Sequence, residues 1–433
     1  MLVNLTSALT RFILIISLCF VQTLRADTEE DKLLIKSAQK QYQQKEYLLV
    51  KQTLKPLSEA TTPHLEVLFL LGMVAQDEKQ YTQAAEYFRQ MLSRNPELVR
   101  PRLELAKALR MAGENQAAKY HYEQVMSMRL PLTVIYNIQQ ELFQIRETSP
   151  SYRLTFDLVS DTNPNQNTKA RTIFIGGVPF TLSEPNKDNL IHGWRAGADV
   201  NLPLPNNPTW YANGFATITN YPGTNLDSGY LQASIGKRFD FGLNNVAVES
   251  GYHISSFQEK SLNDGYLFRT RGFYRINPKL GFIGDAYYKT YKYDRFTYLD
   301  GEQYGLRTFL NIVPTAKNRI ELGLLINAYD AKEEPYSYTQ PEIFARYTQE
   351  IRGGWIAGLR LEANKTIYKD NDPFFAIKRE DSQTTTTIEI LNRKLNFFTF
   401  TPQVSIGYLK HKSNIELYAF DRVIGRIGFV KEF

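Results

Sequence analysis

The sequence predicts an α+β multidomain chain, a tetratricopeptide-like α-solenoid followed by a 14-stranded antiparallel transmembrane β-barrel. Three observations predict it. From Tyr152 to the last residue, two-faced segments are joined by connections that run long, short, then long again. An apolar stretch near the N-terminus has the length of a secretory signal core. Between the two lies a region with helical periodicity and a thirty-four-residue self-similarity.

Residues 1–26 read as a signal peptide. Arg11 precedes the apolar run Phe12 to Val21, too short to cross a bilayer, and Ala26 offers a small residue for cleavage. Cys19, the single cysteine, lies in that run, so the processed chain has no thiol for a disulfide or thiolate metal site. Bulky Leu18 before Cys19 argues against a lipoprotein cleavage box. No other stretch is long and apolar enough for a membrane-spanning helix, which leaves strands for any crossing.

Residues 27–148 read as a periplasmic helical domain. Leu71-Gly72, Tyr81, Ala84-Ala85, Phe88 and Pro96 follow the tetratricopeptide pattern, in which small residues let helices approach and large ones fill the gap. A shift of thirty-four places maps Gly72 onto Ala106, Ala84 onto Ala118 and Phe88 onto Tyr122. Tyr47, Val50 and Leu54 form a weaker earlier copy. Three such units suffice to bury a shared core. The packing positions expected from this pattern are Gly72, Tyr81, Ala84, Phe88, Ala118 and Tyr122.

Residues 151–433 read as an outer-membrane barrel. Long connections are expected near 160–190, 220–228, 257–265, 292–301, 330–340, 369–381 and 411–421, and short ones at 205–207, 242–244, 277–278, 314–318, 352–354 and 394–397. Seven of one kind and six of the other imply fourteen strands. Trp355, Ala357, Leu359, Leu361 and Ala363 share one face, and Arg360, Glu362 and Asn364 the other. Ile320, Leu322, Leu324 and Ile326 alternate in the same way with Arg319 and Glu321. A soluble sandwich also alternates, but strands of about ten residues suit a tilted crossing better. Trp194, Trp210, Tyr211, Tyr221, Tyr288, Tyr329, Trp355 and Phe433 sit toward strand ends, where interfacial girdles belong.

Charge divides the two regions only mildly. Residues 27–150 carry sixteen basic and sixteen acidic side chains, and the net charge of about +4 outside the leader sits in the barrel. Without a basic stripe or recognition helix, the alkaline balance does not indicate nucleic-acid binding. A basic residue on the lipid face at mid-membrane costs roughly 2–4 kcal/mol, so the barrel arginines are assigned inward. The candidate lumen or cargo-path residues are Arg269, Arg271, Arg275, Arg307, Arg346 and Arg360. Asp157, Asp199, Asp240, Asp285, Glu321, Glu362 and Glu389 share the lumen, so the arginines act either as cross-strand ladders or as an electropositive channel.

Chemistry is absent from this reading. His64, His121, His192, His253 and His411 are scattered without metal-ligand spacing, and His253 suits a girdle or loop. No nucleophile lies at catalytic spacing from a base, and Gly176-Gly177 and Gly353-Gly354 open no helix that would cradle phosphate. No catalytic residue, metal site or cofactor is expected, and the chain is expected not to be an enzyme.

Short motifs complete the picture. Asp161-Thr162-Asn163-Pro164-Asn165 closes the first strand; Phe400–Ser405, Ser413-Asn414-Ile415-Glu416-Leu417-Tyr418 and Asp421-Arg422-Val423 precede the end. With this architecture, they resemble the Slam family, the surface lipoprotein assembly modulators, outer-membrane translocons of the type eleven secretion system. The resemblance spans the chain beyond the leader. Its terminal insertion signal maps to Gly428, Phe429 and Phe433, although Lys431 stands where a second aromatic is usual. The resemblance implies a helper that moves surface lipoproteins or soluble haem- and metal-acquisition proteins across the outer membrane, the helical domain capturing the client. Expected partners are the cargo, the barrel-assembly machinery, periplasmic chaperones and outer-membrane lipid. The stretch 160–190 is expected to be an extracellular lip or a plug. Two rivals remain open, a polysaccharide-export porin and a passive porin or receptor.

Overall fold

The computed structural model describes residues 28–60, 62–126, 128, 130–148, 150–175, 177–182, 190–242, 244–392, 395 and 400–432. The expected signal peptide, Phe433, Arg393, Gly176 and most of the turn 394–397 lie outside the described residues. The chain divides into two compact units between Lys79 and Gln80.

The first unit contains helices α1 (Glu29–Gln43), α2 (Tyr47–Ser58) and α3 (Leu65–Asp77). Thr28 caps α1 through a capping box: its hydroxyl accepts from the Asp31 amide at 3.1 Å, and Asp31 accepts from the Thr28 amide at 3.3 Å. Val50, Leu54, Val67, Leu68, Gly72 and Val74 are buried between these helices. The Tyr42 and Tyr47 hydroxyls both donate to Asp77, at 2.8 and 3.1 Å, tying the helix ends together.

The second unit opens with α4 (Tyr81–Arg94), α5 (Val99–Met111), α6 (Asn115–Met126) and α7 (Leu132–Thr148). Ala84, Phe88, Ala118 and Tyr122 are fully buried, and Tyr81 is half-buried at the start of α4. Small residues at 84 and 118 beside rings at 88 and 122 are what close helix pairing needs, consistent with the tetratricopeptide pattern.

Fourteen antiparallel strands then close into a barrel in simple up-and-down order. They are β1 (Ser151–Asp161), β4 (Ile191–Leu204), β5 (Asn207–Asn220), β6 (Ser228–Phe241), β7 (Asn244–Phe257), β8 (Lys260–Asn277), β9 (Leu280–Tyr293), β10 (Gly301–Thr315), β11 (Asn318–Ala331), β12 (Tyr338–Ile351), β13 (Trp355–Asn371), β14 (Lys378–Asn392), β15 (Thr401–Ser413) and β16 (Phe420–Glu432). β2 (Thr172–Ile175) and β3 (Val178–Thr181) form a separate hairpin inside the long first connection. β1 pairs with β16 and β4, so the fourteen barrel strands close on themselves. The outer face is apolar: Phe156, Leu158, Leu231, Phe268, Leu324, Ile343 and Ile427 are exposed, Ile427 by 62%. An uninterrupted hydrogen-bonded ring with an apolar exterior is the architecture of an outer-membrane barrel.

Two expectations need correction. The connection placed at 257–265 is only Gln258-Glu259, with φ of 53° and 59°. Positive φ at both central residues makes a tight primed turn without glycine, so Asn263 and Asp264 belong to β8. Tyr211, Tyr221 and Tyr329, expected in a girdle, are buried at 5%, 9% and 7% exposure. Neighbouring strand residues point to opposite faces, so Trp210 outside requires Tyr211 inside.

Candidate functional site

The barrel has a turn end, where β1 begins and β16 finishes, and a loop end, where the 294–300, 332–337, 372–377 and 414–419 connections lie. Within the second unit, helices dock on the turn end. Arg102 of α5 is fully buried: Nη2 donates to the Pro96 carbonyl at 2.5 Å and to Glu350 of β12 at 2.9 Å. Arg319 of β11 donates to Glu123 of α6 at 2.8 Å and lies 5.4 Å from the Tyr120 ring. Lys317 pairs with Glu97 at 2.8 Å, and the Gly353 amide donates to the Ser93 carbonyl at 2.7 Å. Burial pushes the Glu123 carboxyl up, but Arg319, Lys119 and Arg275 outweigh that and hold it below the usual carboxylate range. The hydrogen bond from Lys317 holds Glu97 low as well. A cavity of about 550 Å³ remains between Tyr120, Glu123 and Ile145 of the helices and Arg238, Arg271 and Arg275 of the wall.

The arginines assigned inward differ in their partners. Arg269 donates twice to Asp285, one bond at 2.7 Å, while Arg271 reaches the same carboxylate only at 3.9 Å. Arg360 pairs with Glu362, its Nε donating at 2.7 Å. Arg346 stands between Glu321 and Glu389 at 3.9 and 4.0 Å. These are cross-strand and along-strand ladders. Arg307 and Arg275 also meet rings: Arg307 lies over Phe344 at 4.9 Å, and Arg275 over Phe273 at 5.4 Å.

Toward the loop end the wall turns aromatic. His253 lies between Tyr230, on which it stacks, and Tyr291, which it meets at a tilt, at 6.0 and 4.8 Å between centroids. Tyr291–Tyr329, Tyr329–Tyr338 and Tyr338–Tyr368 follow at 5.7 Å each. The hydroxyls are spent on the wall: Tyr291 donates to Gln303 at 2.9 Å, Tyr287 to Asn327 at 2.5 Å, and Tyr329 to the Leu299 carbonyl. His253 is thus neither a girdle nor a loop residue, being 1% exposed with Nε2 3.0 Å from the Thr290 carbonyl.

The two motifs at opposite ends of the barrel sequence meet at its seam. Asp161 accepts from the Asn163 amide at 2.9 Å and from Arg422 at 3.5 Å. Asn163 donates to the Asp421 carbonyl at 3.2 Å, and the Val423 amide donates to Thr162 at 2.9 Å. Asn414 brackets the start of β14, accepting from the Glu380 amide and donating to the Lys378 carbonyl, both at 2.8 Å. Tyr418 donates to Asp372 at 2.8 Å. In the same seam, a Cβ at Gly428 would stand 2.0 Å from Asp157 Oδ1 and 2.4 Å from the Phe156 carbonyl, so only glycine fits. Phe429 points outward, 41% exposed.

Arg102, Glu123, Glu350 and Lys289 escaped the sequence reading. Their partners lie on other elements, and only the seam motifs gave a local signal. Among the described residues no cluster of His, Cys, Asp or Glu is arranged to hold a metal ion.

Residues 151–433 match the family described as surface lipoprotein assembly modifier. "Surface lipoprotein assembly modifier 2" of Haemophilus influenzae is 22% identical over 378 residues, covering 80% of this chain and 73% of that protein. "Surface lipoprotein assembly modifier 1" of Neisseria meningitidis serogroup B is 21% identical over 395 residues, covering 87% and 78%. A solved bacterial polysaccharide outer membrane secretin is 10% identical with a TM-score of 0.35, covering 66% of this chain and 99% of that one. The match over all fourteen barrel strands decides the assignment: this chain belongs to the surface lipoprotein assembly modifier family.

Proposed function

We propose that this chain delivers cargo proteins across the outer membrane, foremost surface lipoproteins and also secreted haem- or metal-acquisition proteins, and that its helical segment captures the client in the periplasm. The observation that carries the reading is the family match spanning the whole barrel. Both barrel termini are at the turn end, the end the second-unit helices contact, so a periplasmic turn end keeps helices and client on one side. A client held unfolded there has not yet buried its apolar surface, and folding outside can draw it across without nucleotide hydrolysis. In this reading the seam needs the barrel-assembly machinery for insertion, and periplasmic chaperones keep the client soluble. The reaction is transport, with no catalytic group.

Deleting the gene and comparing surface and secreted proteomes tests this. A small set of lipoproteins or secreted binding proteins should leave the surface and return with the intact gene. An unchanged surface proteome would refute the proposal, and loss of a surface polysaccharide alone would replace it with sugar export.

A further inference from the structure

A second cavity, of about 500 Å³, opens on the inner wall formed by β1, β4, β5, β6, β8 and β9. It shares Ser151, Asn201 and Arg271 with the cavity beneath the helices. Three cations line it, Arg269, Arg271 and Lys289. Arg269 is committed to Asp285 through two hydrogen bonds. Arg271 is not: it is 3.9 Å from that carboxylate, and its side chain is 45% exposed. Lys289 forms no ion pair among the described residues; its ammonium donates to the Tyr230 hydroxyl at 3.1 Å and sits 5.4 Å from that ring.

One carboxylate lines this cavity, Asp199, and it stands opposite Arg153 in the β1–β4 register. Asn201, Asn213 and Gln232 add side-chain amides, which offer N–H donors in either orientation. A half-buried ammonium without a carboxylate is costly unless water or an anion solvates it, and this space is far larger than one water needs. Ammonium, guanidinium and amide donors converging on one polar cavity match the oxygens of a phosphate or carboxylate.

We propose that this wall is an oxyanion-binding site centred on Lys289 and Arg271, taking a phosphate or carboxylate group that enters through the lumen. The source is aqueous. Arg271 faces inward while its neighbour Gly272 lies on the outer face beside Val246 and Phe282, so a bilayer headgroup has no direct route to the site. The site stands apart from the transport reading, since it needs no client to be filled.

Calorimetric titration of the full chain in detergent micelles with inorganic phosphate, at constant ionic strength in chloride, tests it. Saturable binding is expected, weakened at least tenfold in Lys289→Met and in Arg271→Gln and largely kept in Lys289→Arg. Asp285→Asn should tighten it several-fold, because losing that carboxylate frees Arg269. Heat-modifiable gel migration reports whether each barrel is assembled. If Lys289→Met does not assemble, Arg271→Gln and Asp285→Asn decide between them. No saturable heat, or equal affinity in assembled Lys289→Met or Arg271→Gln, overturns the proposal. Weaker binding in Asp285→Asn would overturn it too, because the carboxylate would then be organising the site rather than competing for it. None of these outcomes bears on whether the chain transports cargo.

Discussion

The two ends of the lumen solve the same problem with opposite chemistry. At the turn end, charged groups join the wall to helices, as in Arg102–Glu350, Arg319–Glu123 and Lys317–Glu97. At the loop end, rings meet rings from Tyr230 to Tyr368, and hydroxyls are absorbed by wall amides and carbonyls. Ion pairs are directional and respond to acid, whereas ring contacts are broad and insensitive to it. The difference teaches that the turn end is built as a charged joint to the helices, while the loop end is lined by a continuous row of rings with its ion pairs set within and between barrel strands.

If the ends are distinct in this way, they should face different compartments. Tags inserted between Gln258 and Glu259 or beside exposed Phe374 should be labelled on intact cells, and a tag at Asn206 only after permeabilisation. Labelling at Asn206 on intact cells would reverse the orientation.

The joint should break before the barrel does. Arg102→Met leaves Glu350 buried without its partner, a loss of roughly 3–5 kcal/mol. Protease should then release the helical segment while the barrel keeps its heat-modifiable migration. Equal protection in the mutant would show that the ion pair does not hold the joint. Ala118→Leu should overpack α6 and cost about 1–3 kcal/mol, seen as earlier melting of the helical signal by circular dichroism.

Acid separates the ends more gently. The Glu123 carboxyl is held below its unfolded value near ~4.3, so its contribution is present above that pH and fades as pH falls through the folded value. Helix protection from protease should therefore decline in that acidic window, and Glu123→Gln should weaken the dependence, leaving the smaller part that comes from Glu97. The smallest effect is expected at the loop end. Tyr329→Phe keeps the ring and loses the hydroxyl's bonds to the Leu299 carbonyl and to Tyr293, about 0.5–1.5 kcal/mol each in a thermal melt, with no acid dependence.

How much was legible in advance follows from the distance over which each feature is decided. The Trp355-to-Ala363 and Ile320-to-Ile326 alternation fixes which side chains meet lipid, because successive Cβ atoms must point to opposite faces. That same rule assigned the arginines inward, and applied to Tyr211 and Tyr329 it turns them inward as well. The turn at Gln258-Glu259 was invisible because residues without a glycine signature carry its positive φ.

The sequence by itself therefore determined the strand count, the facing of the strands and the helical pattern before them, since each depends on covalent geometry within a few residues. Only the tertiary structure decided that Arg319 finds Glu123 across 196 positions and that Arg102 finds Glu350 across 248. It alone seated Asp161 and Asn163 against Asp421, Arg422 and Val423 at the seam. It also left Lys289 without a carboxylate while Arg269 took Asp285. Pairing between charges depends on which strands and helices the closed barrel brings together, and no local period encodes that.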